Sequence, residues 1–117
     1  MATLIGDGAH AEDIGFVTKF DYQFSHHKKW PLEWSCGEFS SVVIGINDPQ
    51  IRAAVAEELQ VVDDDWVHPT AVIGRGCTWR GGTHVNYMAS AIRTHFGRHD
   101  TISPGVTICG DVRIGDR

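Results

Sequence analysis

Two stretches of this 117-residue chain hold groups that could do chemistry. The first is Gly6-Asp7-Gly8-Ala9-His10. It follows a short apolar run, Ala2 to Ile5, and opens a segment with helical character from His10 to Phe20, in which Ile14, Val17 and Phe20 recur every third residue. Between a strand and a helix, glycines let the backbone approach a phosphate. The helix N-terminus adds free N–H groups and the positive end of its dipole. The pattern is GxG followed by Ala-His, short of a full GxGxxG, and no acidic residue closes a second strand at the usual distance. A tight turn that binds nothing is therefore the competing reading. Ligands of open parallel sheets sit beyond the carboxyl ends of the strands, which puts Asn47 and Asp48 across the same crevice. The second stretch is rich in histidine (His84, His95 and His99) and coincides with a break in a sequence period.

That period is six. Val67, Ile73, Trp79 and Val85 step by six residues, and so do Phe96, Ile102, Ile108 and Ile114. Neither a helix nor an alternating strand has this spacing; a parallel β-helix does. Each hexad is one short strand and a turn, and three hexads make one triangular coil that stacks on the next. The apolar residue of each hexad is expected to point inward. Gly97 and Gly115, directly after it, are expected at the tight corner with a positive φ. Val85 and Phe96 are eleven residues apart where two hexads need twelve, so one residue is missing around Ala91-Ile92-Arg93-Thr94-His95. Such a slip marks a bulge or a shortened corner, and corners are where functional side chains project.

The elements that position these groups follow from the rest of the chain. Ser41 to Ile46 is β-prone without alternation, as a buried parallel strand requires. Asp48 and Pro49 are a helix N-cap and first helical residue. Gln50 to Leu59 is then amphipathic, with Ile51, Ala54, Val55 and Leu59 on one face and Arg52, Glu57 and Glu58 on the exposed one. A last short strand is expected at Val61-Val62. Asp21 to Ser40 shows little periodicity: one weak strand and a loop, with His26 and His27 read as solvated beside Lys28 and Lys29 rather than as ligands. Residues 1–65 thus read as a small βα domain and 66–117 as the repeat domain. Charged residues make up 21% and the formal net charge is −5, which gives no support to nucleic acid binding. No apolar run approaches the roughly 20 residues of a membrane span, and MATLIGDG lacks the pattern of a signal peptide. Cys36, Cys77 and Cys109 are odd in number with no CxxC, as expected for free thiols in a reducing cytosol.

GDGAHAEDI at Gly6–Ile14, VVIGINDPQIRAAVAEEL at Val42–Leu59, VHPTAVIG at Val67–Gly74 and TISPGVTICGDVRIGD at Thr101–Asp116 resemble sugar O-/N-acyltransferases of the sialic acid O-acetyltransferase type, including enzymes that acetylate UDP-4-amino sugars. The resemblance implies an α/β plus β-solenoid fold: a Rossmann-like N-terminal domain followed by a left-handed β-helix, assembled as a trimer. It implies a nucleotide-sugar at Gly6, Asp7, Gly8, His10, Asn47 and Asp48. It implies acetyl-CoA as co-substrate along the β-helix, at Thr101, Gly105, Cys109 and Gly110. The family's chemistry is acyl transfer with a histidine general base, which takes the proton of a hydroxyl or amine and can be oriented by a carboxylate. Here the position of that histidine falls on Ile92 or Arg93, and that of a second family histidine on Thr101. The displaced candidates for the base are His95 and His99, with Asp100 as the orienting carboxylate; exposed histidines on turns are the alternative. The family continues for several further coils, so the chain looks like a truncated member. A non-catalytic nucleotide-sugar-binding relative is the second reading. The third is a γ-type carbonic anhydrase, with His95 and His99 as a zinc pair, against which the βα domain speaks.

Overall fold

The computed structural model describes residues 2–24, 41–60 and 63–117. The chain divides into two compact units, Met1–Asp64 and Asp65–Arg117. His26, His27, Lys28, Lys29, Cys36 and the expected Val61-Val62 strand lie outside the described residues.

The first unit runs β1 (Ala2–Ile5), α1 (Ala9–Val17), β2 (Tyr22–Phe24), β3 (Ser41–Ile44) and α2 (Pro49–Leu59). Its strands are parallel in the order β2-β1-β3, with Thr3 opposite Tyr22 on one side and Val42 on the other. The two helices cover opposite faces of this sheet. Leu4 faces α1, where a Cβ on Gly15 would stand 3.7 Å from its Cδ2. Ile5, Val42 and Ile44 pack with Val55 and Ala56 of α2. A sheet buried on both faces needs apolar residues at successive positions, hence the absence of alternation. β3 stops two residues before the expected Ile46, because Gly45 turns in against α1: a Cβ there would lie 2.9 Å from that of Ala11. α1 ends at Val17 rather than Phe20, because Thr18 is already extended while its N–H still reaches the Ile14 carbonyl.

α2 begins where the Asp-Pro pair indicates. Asp48 Oδ1 accepts the Gln50 and Ile51 N–H groups at 2.9 and 3.3 Å, and Pro49, which lacks an N–H, fills the first helical position. Its buried face is rotated from the one expected: Val55 is buried and Leu59 packs against the core as expected, but Ala54 is exposed. Ile51 is 49% exposed, whereas Arg52, Ala53, Val55 and Ala56 are buried. The same face carries Arg52 inward, where it meets the polar partners described below.

The second unit is a triangular solenoid. Its first face stacks β4 (Trp66–Val67), β6 (His84–Val85) and β9 (Thr101–Ile102); its second stacks β5 (Val72–Ile73), β7 (Ser90–Ala91) and β10 (Thr107–Ile108). The third pairs β8 (Thr94–His95) with β11 (Val112–Arg113) and bridges Thr78 to His95. All pairings are parallel. The hexad residues form one core: Val67, Val85 and Ile102 from the first face, Ile73, Ala91 and Ile108 from the second, Trp79, Phe96 and Ile114 at the third. The Trp79 and Phe96 rings stack with centroids 4.4 Å apart. Burying a side chain such as Phe96 stabilises by about 1.5–3 kcal/mol.

The glycine expectation needs correction. Gly97 and Gly115 are not in the left-handed region; Gly76, Gly105 and Gly110 occupy it at corners, as do Met88, Arg93, His99 and Asp111. Gly97 is required for closeness instead. A Cβ there would lie 2.6 Å from both the carbonyl carbon and oxygen of Gly115, one coil away.

Candidate functional site

The β1–α1 and β3–α2 connections both leave the carboxyl ends of adjacent parallel strands, and the strand order reverses between them: β1 is followed by β2 on one side and by β3 on the other. This is the point where an open parallel sheet forms a crevice. Gly6 makes the turn possible. Its φ is +130°, and a Cβ would meet the Gly45 carbonyl at 3.0 Å and the Ala11 Cβ at 3.4 Å. Its N–H donates to the Phe24 carbonyl at 2.6 Å, and its own carbonyl accepts from Gln23 Nε2 at 3.0 Å. Gly8 is the N-cap of α1. No side chain caps this helix, and no atom lies within 4 Å of where a Gly8 Cβ would be. An uncapped helix end facing open space is suited to an anion.

The two helix ends at the crevice therefore differ. At α2 the Asp48 carboxylate already occupies the first turn, so this residue, expected at the substrate, is engaged in capping. Asp7, Gly8, Asn47 and Asp48 are exposed at the crevice, and His10 in the first turn of α1 is half-buried. Burial holds the His10 imidazole below its usual pKa, the Arg52 charge lowers it further, and Asp13 opposes both.

Arg52 is the residue that sequence reasoning missed. Placed on the exposed face, it is in fact fully buried. Its Nη1 donates to the Ile46 carbonyl at 2.7 Å and to the Asn47 carbonyl at 3.2 Å. Its Nε lies 3.9 Å from Asp63 Oδ2, and Asp63 Oδ1 accepts the Ile44 N–H at 3.0 Å. One guanidinium thus holds the β3–α2 connection from beneath. The signal available in the sequence was the charge balance: Asp63-Asp64-Asp65 follows a helix with a single cation.

In the solenoid, the missing residue falls at one corner. Between the second and third faces, the first coil has three residues, Gly74-Arg75-Gly76, before Cys77, and the third has Cys109-Gly110-Asp111 before Val112. The second coil has only Ile92-Arg93 between β7 and β8. Arg93 takes a φ of 45° to make the turn, and its N–H donates to the Arg75 carbonyl at 3.0 Å. Its guanidinium lies 3.6 Å from Asp111. His95 is not on this corner. It stands in β8, on the outer side of the third face, in register with Thr78 and Arg113, and its Nδ1 is 2.7 Å from Thr78 Oγ1. His99 sits at the opposite corner, with φ 57° and its N–H on the Gly81 carbonyl at 3.0 Å. Asp100 is buried, and its Oδ2 accepts the Gly97 N–H at 2.8 Å; its N–H donates to Thr83 Oγ1 at 3.2 Å. The carboxylate expected to orient a histidine is thus bound into the turn that precedes it.

The four residues assigned to acetyl-CoA share the third coil but not one side of it. Thr101 lies on the first face opposite His84, Gly105 at the next corner with φ +76°, and Cys109 and Gly110 at the corner after that. Cys77 and Cys109 are free thiols. Among the described residues, no three His, Cys, Asp or Glu side chains gather closely enough to hold a metal ion, and no helix is long and apolar enough to cross a membrane.

No protein-family model and no curated protein matches the sequence. Solved structures do match. The acetyltransferase domain of PglB from Neisseria gonorrhoeae superposes with a TM-score of 0.78 at 13% identity, over 97% of this chain and 67% of that one. A mutant of perosamine N-acetyltransferase from Caulobacter crescentus, in complex with CoA and GDP-perosamine, superposes with a TM-score of 0.74 at 16% identity, over 97% of this chain and 65% of that one. The PglB domain in complex with acetyl coenzyme A gives a TM-score of 0.57 at 13% identity, over 98% and 64%. The chain spans about two thirds of the length of these structures. At such identities the likeness is one of fold: a small α/β unit and a hexapeptide-repeat solenoid, as in sugar acetyltransferases.

Proposed function

We propose that this chain binds a nucleotide-linked amino sugar in the β1/β3 crevice and acts as the acceptor-binding part of an acetyl-CoA-dependent O- or N-acetyltransferase. The observation that carries this reading is the uncapped N-terminus of α1 at the point where the strand order reverses, with open space before Gly8. The diphosphate would take the first-turn N–H groups of α1, and Asn47, held by Arg52, would face the nucleoside or sugar. The shared fold with structures that bind CoA and GDP-perosamine supports the same class of ligands here. In this reading the first unit is Rossmann-like, the solenoid is left-handed, the assembly is a homotrimer and the location is cytoplasmic. Acetyl-CoA runs along the solenoid past Thr101, Gly105, Cys109 and Gly110, where the last three expose backbone that a ligand can approach. If transfer occurs, His95 or His99 supplies the base, with Asp100 positioning it through the Gly97 turn.

The second reading, nucleotide-sugar binding without transfer, is favoured by a specific observation. The shortened corner carries Ile92 and Arg93, neither of which can take a proton at neutral pH, and both histidine candidates lie elsewhere on the coil. General-base catalysis contributes about 10²–10⁴-fold, so a site without it retains only the benefit of positioning. The test is acetyl-CoA consumption with a panel of UDP- and GDP-amino sugars, for the parent, His95→Ala and His99→Ala, alongside calorimetric titration of UDP and CoA. Turnover lost with one histidine supports transfer. UDP binding without turnover supports the second reading. Binding of neither UDP nor CoA contradicts both.

A further inference from the structure

The solenoid is the basic part of an acidic chain. Residues 65–117 hold six Arg and no Lys against four Asp, a net of +2, where the whole chain carries −5. Two of these arginines, Arg75 and Arg93, meet at the shortened corner, where the Arg93 N–H donates to the Arg75 carbonyl. Both are exposed.

The corner is built around the Arg93 side chain. Its backbone is left-handed, with φ 45°, a conformation that costs energy for any residue with a side chain. The corners one coil before and one coil after set glycine against it, Gly76 at φ +82° and Gly110 at φ +64°. A Cβ on Gly76 would stand 3.0 Å from Arg93 Cγ, and one on Gly110 would stand 3.4 Å from Arg93 Nη2. The stem thus lies on the first coil and the guanidinium beside the third, and a side chain at Gly76 would displace it.

The charge held in this way is poorly matched. The Asp111 carboxylate lies 3.6 Å from Arg93 Nε, too far for a hydrogen bond, and the two side chains are 84% and 53% exposed. Such an open pair contributes little. Among the described residues, Arg75 has no ion-pair partner. Two guanidiniums that share one loosely placed carboxylate repel each other. An anion with several acceptor oxygens removes that repulsion and takes forked hydrogen bonds from both, which is the chemistry of a phosphate group.

We propose that Arg93 and Arg75 form a phosphate-binding corner of the solenoid, and that it takes a phosphate group of coenzyme A. The inference rests on the coenzyme reading given above and adds to it the residues that carry the charge. Cys109 and Gly110, assigned there to acetyl-CoA, belong to the same corner one coil on. Asp111 opposes the anion and tunes its affinity.

The experiment is calorimetric titration of CoA, and separately of inorganic diphosphate, into the full chain and into Arg93→Gln, Arg75→Gln, Asp111→Asn and Arg98→Gln, with the fold of each checked by circular dichroism. Gln keeps the stem that packs on Gly76. CoA binding should weaken at least about tenfold in Arg93→Gln, the loss of a charge-assisted pair, and by less in Arg75→Gln. It should tighten in Asp111→Asn. Arg98, at the far corner, carries the same charge, so Arg98→Gln should bind as the parent does. Parent affinity should fall as salt rises from about 0.1 M to about 1 M, where the Debye length shrinks from about 10 Å to about 3 Å. Equal CoA binding by the parent, Arg93→Gln and Arg75→Gln overturns the inference and leaves the coenzyme reading standing. So does an equal loss in Arg98→Gln, which would make the effect one of net charge. Diphosphate binding lost in Arg93→Gln, with no CoA binding by the parent, upholds the phosphate corner and overturns its assignment to the coenzyme. Binding of neither probe overturns both.

Discussion

The crevice of the α/β unit and the shortened corner of the solenoid were both singled out for chemistry, and they are built in opposite ways. In the crevice, the irregular backbone leaves donors available. Gly6 and Gly45 let two strand ends and α1 approach, Gly8 leaves the helix end uncapped, and a buried Arg52 fixes the loop opposite. At the corner and its surroundings, the backbone and the histidine and carboxylate candidates are spent on the coil. Arg93 takes a left-handed φ to close a two-residue turn, His95 meets Thr78, and Asp100 binds the Gly97 N–H. A histidine near a slip in a repeat can thus be engaged by the coil itself, as His95 is with Thr78, whereas the first turn of α1 meets no capping side chain.

That contrast can be broken from either side. The largest effect is expected at Arg52→Met. It leaves the Asp63 carboxylate buried without its cation and frees the Ile46 and Asn47 carbonyls, so urea unfolding of the first unit should show a loss of about 3–5 kcal/mol. A comparable loss, about 3–5 kcal/mol, is expected in the solenoid for Phe96→Ala, which removes the ring stacked on Trp79; a cost under about 1 kcal/mol would mean that the coil stack does not depend on this pair. Gly97→Ala should cost about 1–3 kcal/mol, because its methyl meets Gly115 backbone at 2.6 Å. Asp48→Ala should cost about 1 kcal/mol through the lost cap of α2. The smallest effect concerns His10. Its folded pKa is depressed, first by burial and then by Arg52. The folded state therefore binds fewer protons than the unfolded chain, and this contribution to stability is full above pH 6.5 and is lost as pH falls through the folded pKa. The denaturation midpoint of the parent should drop on acidification from pH 7 to 5 more than that of His10→Asn.

Much of this was legible in the sequence, for reasons that can be named. A six-residue apolar period constrains every coil, so the inward positions and the place of the slip could be read from Val67, Ile73, Trp79 and their successors. Strand β1, the start of α2 and the Asp48 cap were legible because they depend on local chemistry. What escaped depends on partners distant in sequence. Arg52 reads as a surface residue until Asp63 and two loop carbonyls are brought to it. Gly97 reads as a turn glycine until Gly115 is stacked on it. Ile51 and Phe16, apolar and exposed, cannot be told from core residues by type alone.

The account rests on the crevice, and one titration tests it most directly. Gly8 has an ordinary φ of −86° and open space before it, so Gly8→Val should fold with an unchanged circular dichroism spectrum while placing two methyl groups where the diphosphate would lie. Calorimetric titration of UDP into the full chain should show binding by the parent and by His95→Ala, and a loss of at least about tenfold, or 1.4 kcal/mol, in Gly8→Val. Equal binding by Gly8→Val and the parent would contradict the assignment of the site.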